Sequence, residues 1–199
     1  MANEEVNTGR RRFLTGTTVV VGAVGAGFAA VPFIKSWSPS ARARFAGAPV
    51  TVDISALPEG AQLVLNWRGQ PIFIARRTPA MLQTMKSLEG MLADPASANA
   101  EQQPAYAQNP TRSIREDVSV LVGVCTHLGC APEFLPEVKP QPFDTDWKGG
   151  YFCPCHKSRY DLAGRVYKGQ PAPSNLPVPP YYFENDNTVV IGVDPKGAV

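Results

Sequence analysis

Neither sign of charge dominates this chain of 199 residues: 19 lysines and arginines face 17 aspartates and glutamates, and charged residues make up only 18%. A nucleic-acid binder working through a basic face is excluded on that balance. Four cysteines are too few for a disulfide-dense miniprotein of this length, and 44% apolar residues exclude a disordered chain. No repeat at a fixed period is visible, so solenoid and propeller architectures fall away. Proline is the residue in excess. There are 20, against a usual ~5% of residues, and ten fall between Pro132 and Pro180, where long helices are therefore not expected.

The small net charge hides an asymmetry: residues 1–50 hold six basic and two acidic side chains, whereas residues 51–199 hold 13 and 15. The basic end surrounds one long uncharged run, Phe13 to Ile34, bounded by Arg12 and Lys35. A helix rising about 1.5 Å per residue crosses a hydrocarbon core of ~30 Å over such a run. A removable signal peptide has an apolar region of only about 7–15 residues, and the small-x-small site Ala41-Arg42-Ala43 lies beyond the lysine. Residues 13–35 are accordingly expected to be a retained membrane helix in contact with the lipid bilayer. Gly16, Gly22, Gly25 and Gly27 give it a small-residue face suited to neighbouring helices.

Three positive charges on each side (Arg10, Arg11, Arg12; Lys35, Arg42, Arg44) leave the orientation open by counting. The segment Gly9-Arg10-Arg11-Arg12-Phe13-Leu14 resembles a twin-arginine export signal. That resemblance implies that residues 1–12 stay in the cytoplasm of a bacterium and that the domain faces the periplasm. Residues 36–49 follow. Within them Ser38 to Pro49 (SPSARARFAGAP) has no periodic apolar pattern and is expected to be a flexible tether, with a domain over residues 50–199.

Within that domain Val50–Ile54, Gln62–Trp67 and Pro71–Ala75 read as short strands, the last two joined through Arg68-Gly69-Gln70. Thr78-Pro79 then caps a helix whose core side carries Met81, Leu82, Met85, Leu88, Met91 and Leu92. Asp94 to Ser113 is polar and is expected to be an excursion facing a partner subunit. Val118–Val124, Tyr151-Phe152 and Thr188–Val193 complete a mainly β, antiparallel domain with one helix.

All four cysteines and both histidines lie between Cys125 and His156, in Cys125-Thr126-His127-Leu128-Gly129-Cys130 and Cys153-Pro154-Cys155-His156-Lys157-Ser158-Arg159-Tyr160. Six metal-competent side chains are two more than one tetrahedral ion takes. Haem attachment needs C-x-x-C-H, which the second motif misses by a residue. A structural zinc would leave two thiols over, and a pair of disulfides would leave both histidines without a role. A two-iron cluster with mixed ligands uses both residue types. Four thiolates on two ferric irons and two sulfides leave a charge of −2, whereas two thiolates and two neutral imidazoles leave none. The neutral form takes an electron at roughly −150 to +300 mV instead of about −400 mV.

The pair C-T-H-L-G-C and C-P-C-H-x-S-x-Y resembles the Rieske subunits of ubiquinol–cytochrome c reductase, over the whole chain. The resemblance implies one [2Fe–2S] cluster held by Cys125, His127, Cys153 and His156, with Cys130 and Cys155 as a disulfide within a cluster-binding part of about residues 123–175. It makes Ser158 and Tyr160 hydrogen-bond donors to the cluster, Leu128 a residue packed over the cluster loop, and Pro171 part of a covering proline loop, Gly169 to Pro173. His156 would hydrogen-bond a membrane quinol and take its proton. The implied partners are cytochrome b and a c-type cytochrome in a dimeric multisubunit complex of the inner membrane, with no nucleic acid. Two positions depart from the family. Gln170 is an extra residue in the proline loop, and Lys157 stands where glycine is frequent, which speaks against a need for glycine's backbone freedom there. A Rieske subunit of an arsenite-oxidase-like enzyme and a zinc module are the competing readings.

Overall fold

The computed structural model of the protein describes residues 7–40 and 47–195. Parts of the expected cytoplasmic segment (1–6) and of the tether (41–46, with Ala41-Arg42-Ala43 and Arg44) lie outside the described residues. The chain divides into two compact units, 1–45 and 46–199.

The first unit is a single helix, α1 (Thr8–Ser36), long and apolar enough to cross a membrane. It starts before the uncharged run, so Arg10 to Arg12 form its first turns, and the Asn7 side chain caps it by accepting the Arg10 N–H at 3.1 Å. Thr15, Thr17 and Thr18 each donate to the carbonyl four residues back, which satisfies their hydroxyls without a partner from outside the helix.

The second unit is built from three antiparallel sheets of three strands each. The first joins β1 (Val50–Asp53), β9 (Thr188–Ile191) and β8 (Tyr181–Asn185), with β9 in the centre. The second is a meander of β2 (Gln62–Trp67), β3 (Gln70–Arg76) and β4 (Val118–Val122). The β2–β3 connection is shorter than expected. Arg68 and Gly69 alone make the turn, both left-handed, and Gln70 already pairs with Trp67. The third sheet, β5 (Glu133–Leu135), β6 (Gly150–Phe152) and β7 (Arg159–Tyr160), belongs to the cysteine-rich part.

Every residue of β4 is buried, and Tyr151 from β6 stacks on Phe73 from β3 at 5.7 Å, so the second and third sheets share one core. Cys125 and Cys153 belong to that same core, at 3% and 1% exposure.

One expectation needs correction. Helix α2 (Pro79–Ser87) is capped by the Thr78 hydroxyl as expected but ends early, giving way to a 3₁₀ turn over Glu89–Met91. Met91 is consequently 45% exposed and leaves the core to Met85, Leu88 and Leu92. The polar stretch from Asp94 to Ser113 also sends several of its side chains inward. Its buried Arg112 donates to the carbonyls of Leu176 and Ala163 and to Gln103 Oε1, while Gln103 donates to the carbonyls of Ser97 and Asn99. Burial lowers the Arg112 guanidinium to about 10. Polar side chains enter this interior because each finds backbone acceptors there.

Candidate metal centre

Two loops leave β4 and β6 and close in the same way. In the first, the Cys125 N–H donates to the Cys130 carbonyl at 2.7 Å and the Gly129 N–H to the Cys125 carbonyl at 2.9 Å. In the second, the Cys153 N–H donates to the Ser158 carbonyl at 2.8 Å and the Lys157 N–H to the Cys153 carbonyl at 2.9 Å. Each return turn needs a left-handed residue at its fifth position: Gly129 at φ 87° in one loop and Lys157 at φ 63° in the other. The reading of Lys157 from sequence is thus corrected. The backbone conformation that glycine favours is used there, and a lysine adopts it.

The loops are tied by a Cys130–Cys155 disulfide, as the resemblance implied, across 25 residues of sequence. Cys125 and Cys153 are left as free, buried thiols. The rings of His127 and His156 meet edge to face with centroids 4.7 Å apart, His156 exposed and His127 half-buried. His127 Nδ1 is buried and has no hydrogen-bond partner among the described residues. A buried imidazole nitrogen without a partner, on a loop that also carries a buried free thiol, is what a metal-ligand set looks like when only the protein is considered. A different trio, Cys130, Cys153 and Cys155, brings its sulfurs within 4.8 Å of one another. Two of those sulfurs are bonded to each other and have no thiolate to offer, so this proximity shows the disulfide abutting Cys153, not a separate site.

The surroundings fit an electron-rich centre at the thiols. Tyr160 Oη lies 3.2 Å from Cys125 Sγ and accepts the Thr126 N–H at 3.3 Å. Burial, and then the Cys125 thiol, raise the Cys153 thiol, while the backbone N–H groups of Cys155 and His156 pull in the opposite direction. Burial likewise raises the Tyr160 hydroxyl, which keeps it protonated and able to donate. Ser158 is fully buried, and its Oγ accepts the Ala172 N–H at 3.1 Å. Pro171 is exposed in the adjoining loop.

Leu128 is 71% exposed at the apex of the first loop, which the tight return from Cys125 to Cys130 turns outward. Thr126 was missed by sequence reasoning, although its hydroxyl donates to the Ser174 carbonyl at 2.7 Å and lies 3.3 Å from Tyr160 Oη. Asn175 was missed too; its side chain accepts the Val166 N–H and donates to the Asp94 carbonyl. Neither contact leaves a spacing signal. A cleft of about 810 Å³ beside the second loop, lined by Phe143, Phe152, Lys157, Arg159 and Gln170 among others, includes none of the four candidate ligands.

A fold of three small antiparallel sheets presenting two disulfide-tied Cys/His loops defines a class, and the family model "Rieske [2Fe-2S] domain" matches residues 50–180. The chain belongs to the Rieske [2Fe–2S] family. Residues 1–40 match a second model, described as a ubiquinol–cytochrome c reductase Fe–S subunit TAT signal. Together with the apolar helix, that match makes the chain a membrane-anchored member.

Its relatives point to one branch of the family. The ubiquinol–cytochrome c reductase iron–sulfur subunit of Allochromatium vinosum is 53% identical over 98% of this chain and 93% of its own length. That of Rhodospirillum rubrum is 44% identical over 92% and 91%. A solved chain of a "Hyperthermophilic respiratory Complex III" is 28% identical with a TM-score of 0.47, covering 89% of this chain and 98% of that one.

Proposed function

We infer that this chain is the iron–sulfur electron-transfer subunit of a membrane quinol–cytochrome c reductase, with Cys125, Cys153, His127 and His156 as the ligands of its cluster. The observation that carries the reading is the pair of imidazoles meeting at 4.7 Å, one of them exposed, on disulfide-tied loops that also hold two buried free thiols. A chain that must bind a metal group in its core and offer it to a partner at the surface needs both halves of that arrangement.

The bound [2Fe–2S] cluster supplies a one-electron acceptor of raised potential. Cys125 and Cys153 would hold it, their thiols buried in a core that excludes water. Tyr160 donates to Cys125 Sγ and favours the more negatively charged state. Ser158 keeps its own proton available, since its Oγ already accepts from Ala172 and its hydrogen meets no acceptor among the described residues. His156, the exposed imidazole, hydrogen-bonds the quinol and receives its proton. Leu128 supplies apolar surface beside it.

Residues 13–35 anchor the chain with its N-terminus in the cytoplasm, residues 36–49 let the head move, and the domain over 50–199 works in the periplasm. The head meets a cytochrome b subunit, where the quinol binds, and a c-type cytochrome, which takes the electron, within a dimeric complex. One exposed histidine edge reaches only one of them at a time.

Low-temperature EPR on membranes of cells making the chain tests this. A Rieske signal appearing with ascorbate and shifting with a quinol-site inhibitor is the expected result. A signal that needs dithionite, or none at all, would overturn it.

A further inference from the structure

The loop from Gly169 to Pro173 touches the strand that carries Ser158 and Tyr160 at two places. At one, the Ala172 N–H donates to Ser158 Oγ at 3.1 Å. At the other, Gln170 Oε1 accepts the backbone N–H of Arg159 at 3.2 Å, and Gln170 Nε2 donates to the Lys168 carbonyl at 3.4 Å. Arg159 lies between the two hydroxyl residues, and its own carbonyl accepts the Tyr167 N–H at 3.1 Å. The glutamine side chain therefore stands where a further strand would have offered a backbone carbonyl, and completes the edge of β7.

Without this contact the loop would keep Ala172 on Ser158 through one hydrogen bond alone. Both loop prolines are exposed and Gly169 is left-handed, and among the described residues the backbone of residues 169–173 meets the 158–160 segment only at Ala172. We propose that Gln170 is a positioning residue. It clamps the proline loop to β7, so that Ala172 holds the Ser158 oxygen and the Ser158 proton stays directed to the cluster. This rests on the reading of Ser158 as a donor to the cluster.

The test uses the full chain, cluster-loaded, in its membrane complex, with Gln170→Met (similar length, no acceptor at Oε1), Gln170→Glu (acceptor kept), Ser158→Ala and the Ser158→Ala/Gln170→Met double variant. Residue-resolved hydrogen exchange should quicken by about tenfold at Arg159 and Ala172 in the methionine variant, as expected for loss of about one net hydrogen bond, and stay near the parent rate in the glutamate variant. The midpoint potential should fall in Gln170→Met and in Ser158→Ala, with no further fall in the double variant.

Unchanged exchange in Gln170→Met overturns the clamp. So does a potential that stays at the parent value in Gln170→Met, or one that falls by its full amount again on the Ser158→Ala background. If Ser158→Ala alone leaves the potential unmoved, the Ser158 reading itself fails and takes this proposal with it, a result visible without reference to Gln170.

Discussion

Gly129 and Lys157 do the same backbone work. Each donates its N–H to the carbonyl of the first cysteine of its loop, and each does so with positive φ, 87° and 63°. Glycine pays no side-chain penalty for that conformation, whereas a residue with a Cβ pays about 1–2 kcal/mol. The first loop is thus locally relaxed, while the second holds its shape through its surroundings: Ser158 buried under Ala172, Arg159 paired with Asp144 at 2.5 Å, and the same Arg159 bonded to Gln170 and Tyr167. Two loops with one geometry can be enforced by different means, one by its own sequence and one by its neighbours.

Cutting the tie between the loops should have the largest effect. Cys130→Ser or Cys155→Ser removes a cross-link over 25 residues, and the denaturant midpoint should drop in line with a loss of roughly 3 kcal/mol. Iron retained after gel filtration should fall with it, since both ligand pairs lose their fixed spacing. Next comes Gly129→Ala, which should cost about 1–2 kcal/mol because the left-handed turn is kept without glycine. The matching Lys157→Ala should change stability little. Equal losses at the two positions would break the comparison.

A third pair of changes sharpens it on the chemical side. Tyr160→Phe removes the hydroxyl that reaches from the second loop's strand to Cys125 of the first. Ser158→Ala removes one buried within the second. Each should lower the midpoint potential by some tens of millivolts, a tenfold change in a one-electron equilibrium being about 59 mV. Redox titration of the ascorbate-reducible signal measures both. The smallest expected effect is Lys157→Gly, a gain of less than about 1 kcal/mol, since relief at positive φ is offset by the greater freedom of glycine in the unfolded chain.

The proposed ligand set rests on residue type: soft and borderline donors confined to two short motifs leave few chemical solutions. The strands β2, β3 and β4 were legible from alternation or a continuous apolar run. By contrast β5 (Glu133–Leu135) sits between Pro132 and Pro136, and β7 has two residues, too short for any period to show. The buried part of the Asp94–Ser113 stretch was not legible for a different reason. Arg112 and Gln103 look like surface residues, and only the carbonyls of Ser97, Asn99, Ala163 and Leu176, brought in from distant segments, make them interior ones. Lys157 depended on turn geometry that composition does not carry.

On the proposed function, the two loops contribute one histidine each to the same cluster. Pulsed EPR on ascorbate-reduced membranes, with the chain labelled by ¹⁵N-histidine, tests it most directly. Two strongly coupled, label-sensitive nitrogens on one reduced cluster are expected; a reduced signal with no histidine nitrogen coupled to it would contradict ligation by His127 and His156.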